Sequence, residues 1–200
     1  MFSLALLTIL AASANLLNNH TFDGGLDGWT VNNPNGSSKA ATVDGRTSVE
    51  MSIPDSAAVS WPCFLQEFPV KPEQLVESHV EAMARNVRDG YGVYASLEFL
   101  DEKGQRINFE QSPAAIGDGA WSTLKIHAFA PPASAKVRLS LLLNGHGEAY
   151  FDNASLTIDD DTRATEPHGP VTIEVTGQTA CESPIGFGAE DDGWLYNEDN

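Results

Sequence analysis

The sequence predicts an all-β fold, an antiparallel β-sandwich of the jelly-roll type with a C-terminal extension. Short runs of β-branched and aromatic residues follow one another, separated by turn dipeptides such as Asp44-Gly45 and Lys103-Gly104. Helical periodicity is nearly absent between residues 15 and 158. This stretch is long enough for the eight or more strands that a jelly roll contains.

The strand predictions follow from these runs in chain order. The predicted strands are residues 15–22, 29–31, 40–43, 48–53, 59–68, 75–85, 92–100, 105–109, 121–130, 136–144 and 149–158. Asp89-Gly90 and Asn144-Gly145 are predicted to form further turns between successive strands.

Alternation within the strands assigns one packed face and one polar face. In residues 136–144, the inward set is Val137, Leu139, Leu141 and Leu143, and Leu142 is an apolar exception on the outer side. In the same way, Glu77, His79, Glu81 and Arg85 project from one strand, and Tyr94, Ser96 and Glu98 project from another. The expected polar face therefore combines an aromatic side chain, carboxylates and bases.

The formal net charge of −17 argues against two classes of partner. Residues 159–200 alone contain 11 acidic residues, and Arg163 is their only Lys or Arg. Such a surface repels phosphate backbones and anionic lipid head groups, which disfavours nucleic acids and membrane surfaces. Uncharged or cationic ligands fit better.

The two ends of the chain differ from the predicted sandwich. Residues 1–14 are apolar and end in Ala12-Ser13-Ala14, which predicts a signal peptide and a secreted or extracellular protein, with the periplasm or cell surface as further options. The segment is too short to span a bilayer, and a buried strand is the alternative. Residues 159–170 are predicted to form an acidic linker before an extension, residues 171–200.

Cys63 and Cys181 either pair or remain free thiols.

Five segments between residues 15 and 158 resemble, in order, one family of carbohydrate-binding modules. They are "NLLNNHTFDGGLDGW", "LQEFPVKPEQL", "ASLEFLDEKGQRI", "GAWSTLKIHAFAPPASAKVRLSLLL" and "GEAYFDNASL". Together they resemble the family 4/9, or cellulase-C-like, jelly-roll modules. The resemblance implies a sandwich that binds polysaccharides or oligosaccharides.

The same resemblance implies a structural calcium ion where the first and last strands lie side by side. Its carboxylate ligands would be Asp23 and Asp152, with Thr21 and Glu50 supplying carbonyl oxygens. The alternative is that Asp23 caps a glycine turn and Asp152 accepts hydrogen bonds. Trp29 and Trp121 are predicted to pack in the core.

A sugar-binding surface needs exposed aromatic platforms beside short polar side chains. By alternation Tyr94 is the best predicted platform, and Trp61, Tyr91 and Phe109 are predicted to form a rim at strand ends or loops. The polar candidates beside them are His79, Glu81, Arg85, Glu98 and Lys125. A solvated sheet face without ligand is the alternative.

Two other functions stay open. An enzyme could use a carboxylate pair drawn from Glu77, Glu81 and Glu98, although nothing singles out a general acid. The C-terminal "PIGFGAEDDGWLYNEDN" resembles the start of a glycoside hydrolase barrel, which takes about 250 residues in full. A structural or adhesion domain is the third reading. The sequence favours a noncatalytic, monomeric carbohydrate-binding module that targets an attached glycoside hydrolase to its polymer.

Overall fold

The computed structural model describes residues 14–159, which fold into eight β-strands. The strands are β1 (Thr30–Asn32), β2 (Ser37–Val43), β3 (Arg46–Ile53), β4 (Cys63–Pro69), β5 (Leu75–Leu100), β6 (Arg106–Gln111), β7 (Ser122–Phe129) and β8 (Lys136–Asp159). The described residues contain no helix, and every pairing between strands is antiparallel.

The strands form the two layers of an antiparallel jelly-roll sandwich, as the sequence predicts. Sheet I has the order β1-β4-β8-β5-β6 and uses residues 136–144 of β8 and 92–100 of β5. Sheet II has the order β2-β3-β8-β5-β7 and uses residues 147–159 of β8 and 75–88 of β5. The two long strands therefore cross from one layer to the other.

The crossing takes place at a bend that β5 and β8 share. The pairing register slips between Arg85 and Gly92, and Asn86 and Asp89 adopt positive φ angles of 52° and 59°. On β8, Gly147 has φ = 118°, and a Cβ atom there would lie 2.5 Å from the carbonyl oxygen of Asn86. Glycine is needed because the two backbones approach too closely for a side chain.

The core lies between the inner faces of the two sheets. An edge-to-face contact between Phe64 of sheet I and Phe151 of sheet II, with ring centroids 6.1 Å apart, joins the layers. Aliphatic side chains at alternate positions fill the remaining space, among them Val49, Met51, Val80, Leu97, Leu139, Leu141, Leu143 and Leu156. The predicted inward set of residues 136–144 is confirmed.

Three local predictions are wrong. Residues 15–22 are not a strand: residues 18–21 form a turn, because Asn19 and Phe22 take positive φ angles and the Asn19 side chain bonds the backbone of the turn that follows. Asp89-Gly90 and Asn144-Gly145 are not hairpin turns. Both dipeptides lie at the bend inside continuous strands.

The N-terminal segment lies along the end of β8. The amide of Leu16 donates to the Leu156 carbonyl, and the amide of Ala154 donates to the His20 carbonyl, both at 2.9 Å. Trp29 is buried and stacks on Phe22 with ring centroids 5.1 Å apart, so its predicted core position is confirmed. The start and end of the sandwich therefore meet, as the sequence predicts.

Several sequence predictions lie outside the described residues. They are most of the signal peptide, the acidic linker beyond residue 159, the extension and the pairing of Cys181. Cys63 is a buried free cysteine in the described part of the chain. Within residues 14–159, no helix has the length and apolar character that crossing a bilayer requires.

Candidate functional site

A groove runs across the outer face of sheet I. It has a volume of about 440 Å³, within the range of small-molecule sites. Its lining residues come from all five strands of the sheet and from the loop before β4; they are Asn32, Trp61, Cys63, Leu65, Tyr94, Ser96, Glu98, Arg106, Phe109, Gln111, Arg138, Ser140 and Leu142. Outward alternation and antiparallel register bring these distant positions together.

Aromatic side chains line one end and one side of the groove. Trp61 and Tyr91 are 64% and 52% exposed, and Phe109 of the edge strand β6 is also exposed. Tyr91 and Tyr94 form an edge-to-face pair with ring centroids 4.9 Å apart. We call Trp61, Tyr91 and Tyr94 the aromatic rim.

Tyr94 is not the exposed platform that alternation predicts. It is only 3% exposed, and Tyr91 packs against its ring. Burial raises the pKa of its phenol, so the hydroxyl stays protonated at neutral pH. The exposed platforms are Trp61 and Tyr91, and Tyr94 supports them from below.

The other end of the groove carries a row of alternating charges. Arg138 binds Glu67 through Nε at 2.9 Å and Glu98 through Nη1 at 3.0 Å, and Glu98 also accepts from Arg106 at 2.9 Å. The four side chains, Glu67, Arg138, Glu98 and Arg106, form what we call the charge row. Its two carboxylates and two guanidiniums cancel, so the charge row has no net charge. The hydrogen bond from Arg138 lowers the pKa of Glu67, which stays ionised.

Short polar side chains lie on the floor between the rim and the charge row. Ser96 and Ser140 are directly opposite each other in the pairing of β5 with β8, and Gln111 lies opposite Ser96 on β6. Both serines are about 95% buried although they face away from the core. Their burial reflects the depth of the groove. Cys63 lies beside them, and burial raises the pKa of its thiol, which keeps it protonated.

The structure separates the predicted polar candidates from the rim. Of the predicted residues, Trp61, Tyr94, Glu98 and Phe109 line the groove, and Tyr91 packs against Tyr94 beside it. His79, Glu81, Arg85 and Lys125 instead lie on the outer face of sheet II, which points away from sheet I. The prediction placed them beside Tyr94, and this is wrong because β5 changes layers between Arg85 and Gly92.

The side chains on sheet II make local contacts. Glu81 accepts a 2.6 Å hydrogen bond from Thr123, and Arg85 lies over the ring of Tyr150. Trp121 also lies on this outer face, packed against a small cluster of Val43, Met83 and Tyr150 rather than in the main core. These contacts stabilise the sheet surface.

The side chains of the predicted calcium ligands already have partners in the structure. Asp152 accepts hydrogen bonds from Arg46 Nε at 3.0 Å and from the Asn153 amide at 2.7 Å. Glu50 pairs with Lys39, and Asp23 accepts from the Thr21 hydroxyl. No group of three or more Asp, Glu, His or Cys side chains in residues 14–159 is arranged to hold a metal. A guanidinium thus already neutralises Asp152, and the calcium ion stays a prediction that this donor set does not favour.

A larger depression, of about 630 Å³, lies beside the bend. Its lining includes Asp55, Asn86, Arg88 and Glu148 but no aromatic side chain. Because it offers no apolar platform, the groove on sheet I is the better candidate for binding an organic ligand.

No protein-family model matches the sequence, and neither does any curated protein sequence. Solved structures do match the fold. The enzymatically active domain of tailspike protein 4 from bacteriophage CBA120 has a TM-score of 0.59 at 15% identity, over 72% of this chain and 21% of that chain. An endo-1,4-beta-D-xylanase of Clostridium thermocellum, with CBM22-1 and GH10 modules complexed with xylohexaose, has a TM-score of 0.55 at 17% identity. The match covers 69% of this chain and 27% of that chain.

A third structure matches over nearly its whole length. The CBM22-1 xylan-binding domain from Paenibacillus barcinonensis has a TM-score of 0.54 at 16% identity, over 74% of this chain and 97% of that chain. The structural neighbours thus include carbohydrate-binding modules. The chain spans about a quarter or less of the first two proteins and nearly all of this single module. At such low identity the likeness shows the fold, a jelly-roll β-sandwich.

Sequence reasoning missed several polar residues of the groove. Arg106, Gln111, Arg138 and Ser140 line it, and none was singled out as a site residue. One signal was available for this surface. Leu142 breaks the alternation of its strand as an outward apolar residue, and it lies on the groove floor beside Tyr94.

Proposed function

We propose that residues 14–159 form a noncatalytic carbohydrate-binding module that holds a neutral glycan in the groove of sheet I. The observation that carries the proposal is the combination of exposed aromatic platforms, unpaired floor hydroxyls and a balanced charge row in one groove. Ser96 and Ser140 line the groove, and no side-chain hydrogen bond within the described residues occupies either hydroxyl, so both can bond a ligand.

The groove offers the two kinds of contact that sugars make. Sugar rings have apolar C–H faces that pack on aromatic rings, and Trp61 and Tyr91 present such rings to solvent. Ring hydroxyls both donate and accept, which matches Ser96, Ser140, Gln111 and the charge row. With about 1 kcal/mol from each platform and added hydrogen bonds, a dissociation constant on the order of 10 μM to 1 mM is expected.

The charge row argues for a neutral ligand and against glycoside hydrolysis at this site. Hydrolysis needs two carboxylic groups, of which one is a general acid with a raised pKa. Glu67 and Glu98 both bind Arg138, and the pKa of Glu67 is lowered. Glu77 and Glu81 lie on the other sheet, so they cannot pair with Glu98 across the groove.

The resemblance of the sequence to family 4/9 modules supports a finer version of the proposal. In it the module targets an attached glycoside hydrolase to its polymer, outside the cell, by raising the local substrate concentration. Supporting observations are the apolar N-terminal segment and the C-terminal segment that resembles the start of a hydrolase barrel. The xylanase among the structural neighbours carries a CBM22 module beside a GH10 module.

A structural or adhesion role is the competing proposal. It fits a sheet face without exposed aromatic side chains, whereas Trp61, Tyr91 and Phe109 are all exposed at this groove. Exposure of three aromatic side chains to water is unfavourable. Sugar binding explains why they are exposed, and a purely structural sheet does not.

Calorimetric titration of the full chain tests the proposal. The panel contains neutral oligosaccharides, including xylohexaose and β-1,4-galactotriose, with a uronic-acid oligosaccharide as the charged comparison. We expect micromolar to millimolar binding of at least one neutral member and weaker binding of the charged one. Absence of binding across the panel would favour the structural role.

A further inference from the structure

The aromatic rim is attached to the sandwich through the bend of β8. Trp61 lies in the loop that joins β3 to β4, residues 54–62, and Tyr91 lies at the bend of β5. Neither ring is held by the core, because both side chains are more than half exposed. Their positions therefore depend on the contact with Tyr94 below them and on the backbone contacts of these two segments.

Asn144 connects the two segments directly. It is 6% exposed, its Nδ2 donates to the Ser60 carbonyl at 3.1 Å, and its Oδ1 accepts from the Tyr91 amide at 2.7 Å. Ser60 precedes Trp61, so one side-chain amide holds the backbone at both exposed platforms. The side-chain amide supplies both the donor and the acceptor that this arrangement uses.

His146 makes a second connection two residues along β8. Its Nε2 lies 3.0 Å from the Ala57 carbonyl of the loop, and its Nδ1 lies 3.1 Å from Oδ2 of Asp89 at the bend of β5. Both neighbouring atoms are acceptors, so both ring nitrogens must carry hydrogen to satisfy them. Only the imidazolium form does this, since a neutral ring has a single N–H.

The charged groups around His146 come from both packed segments. Asp89 and Arg88 lie on the bend of β5, and Asp55 lies on the loop, where it pairs with Arg88. The hydrogen bond to the Ala57 carbonyl and the bond to Asp89 raise the pKa of His146 above its ordinary value. A raised pKa means that the contact is complete at acidic pH and is lost as the pH rises through that value.

We propose that Asn144 and His146 are the positioning residues of the aromatic rim, and that deprotonation of His146 releases the Trp61 loop and weakens glycan binding. The glycan part of this inference rests on the proposed function. The positioning part does not, because the mobility of Trp61 is measurable without any sugar.

The first experiment follows Trp61 in the ligand-free full chain. Acrylamide quenching of tryptophan fluorescence is measured from pH 5 to pH 9. The signal of the W61F variant is subtracted at each pH, which leaves the contribution of Trp61. We expect quenching to rise in one step, with a midpoint above the ordinary histidine pKa. H146Q should abolish the step, and D89N should move its midpoint to lower pH.

The matched control is H127Q, which changes a histidine on the outer face of sheet II that pairs with Glu77. It should leave the step unchanged. A wild-type profile without a step, or a step that survives in H146Q, would overturn the role of His146.

The second experiment measures xylohexaose affinity at pH 6 and pH 8.5. We expect wild type to bind about threefold more tightly at pH 6, and H146Q to lose this difference. N144D keeps the acceptor for Tyr91 but loses the donor to Ser60, and about tenfold weaker binding is expected at both pH values. N108D, on the exposed edge strand β6, is its charge-matched control and should bind like wild type.

The two experiments separate the two proposals. If xylohexaose and the rest of the panel do not bind while the quenching step depends on His146, the proposed function fails and the positioning role stands. If N144D binds sugar and quenches like wild type, the role of Asn144 is overturned. Should N144D fail to fold, N144S, which is smaller and uncharged, replaces it in both measurements.

Discussion

At the scale of single residues, Trp61 is the feature that most needs a function. It is the most exposed large hydrophobic side chain in the described part of the chain, and it stands at the end of a groove. An indole in water costs free energy unless a ligand covers it. Its neighbours Tyr91 and Tyr94 extend the same apolar surface inward.

Replacing this platform gives a direct prediction. Trp61→Ala should weaken binding of the best panel glycan about tenfold, which corresponds to about 1.4 kcal/mol, because the stacking surface for one sugar ring is lost. The melting temperature should change by less than about 2 °C, because the ring is not part of the core. Calorimetric titration and scanning calorimetry measure the two effects.

Ile116→Ala is the matched control for this substitution. Ile116 is 59% exposed, close to the exposure of Trp61, but it does not line the groove. It should change neither affinity nor stability. Equal losses in the two variants would show that exposed apolar area in general, rather than the groove, governs binding.

At the scale of elements, the shared bend of β5 and β8 organises the molecule. Each strand contributes one half to each sheet, so outward residues before and after the bend face opposite directions. The bend also brings the backbones of the two strands together at Gly145 and Gly147. A side chain at either glycine would strike a carbonyl oxygen of β5.

Gly147→Ala should therefore destabilise the fold by about 3 kcal/mol or more. The added Cβ would lie 2.5 Å and 2.8 Å from the carbonyl oxygens of Asn86 and Arg85, at a φ angle of 118°. Denaturant unfolding followed by circular dichroism measures the change.

Gly104→Ala separates the backbone strain from the collision. Gly104 also has a positive φ, of 77°, but a Cβ atom added there would meet nothing within 4 Å. It should cost only about 1 kcal/mol. A similar cost at both positions would mean that close approach of the strands does not constrain the bend.

At the scale of the whole molecule, backbone hydrogen bonds join the start and end of the sandwich. Residues 16 and 20 bond the last part of β8, and Arg46 Nη2 pairs with the largely buried Asp152 at 2.9 Å. Arg46 also lies over the ring of Trp121, 4.5 Å from its centroid. A calcium ion at Asp152 would have to displace this guanidinium.

Chelation tests this arrangement. We expect the melting temperature of the full chain to be the same in excess EDTA and in millimolar calcium. Arg46→Met should lower the free energy of unfolding by about 2 kcal/mol, because it leaves the Asp152 carboxylate buried without its cation.

Lys39→Met is the control, because Lys39 is well exposed in its ion pair with Glu50. This substitution should lower the free energy of unfolding by less than about 1 kcal/mol. A clear fall in melting temperature on chelation would instead support the calcium ion implied by the family resemblance.

The predictability of the fold and of the site differs for a physical reason. Period-two alternation in residues 136–144 identified the inward side chains correctly, because burial of apolar area is decided locally along a strand. The same reasoning placed Glu81 beside Tyr94, which is wrong. Alternation gives the side of a strand, and it does not show where the strand bends into another layer.

The sequence by itself predicted the all-β sandwich and five residues at the groove, Trp61, Tyr91, Tyr94, Glu98 and Phe109, and the family resemblance implied the contact between the two ends. Only the tertiary structure decided that Tyr94 is buried and that Arg138 joins Glu67 to Glu98. It also decided that His79, Glu81 and Arg85 lie on sheet II and face away from the groove. Strand formation depends on neighbours in sequence, whereas the groove depends on the register between five strands that are distant in sequence. No local pattern encodes that register.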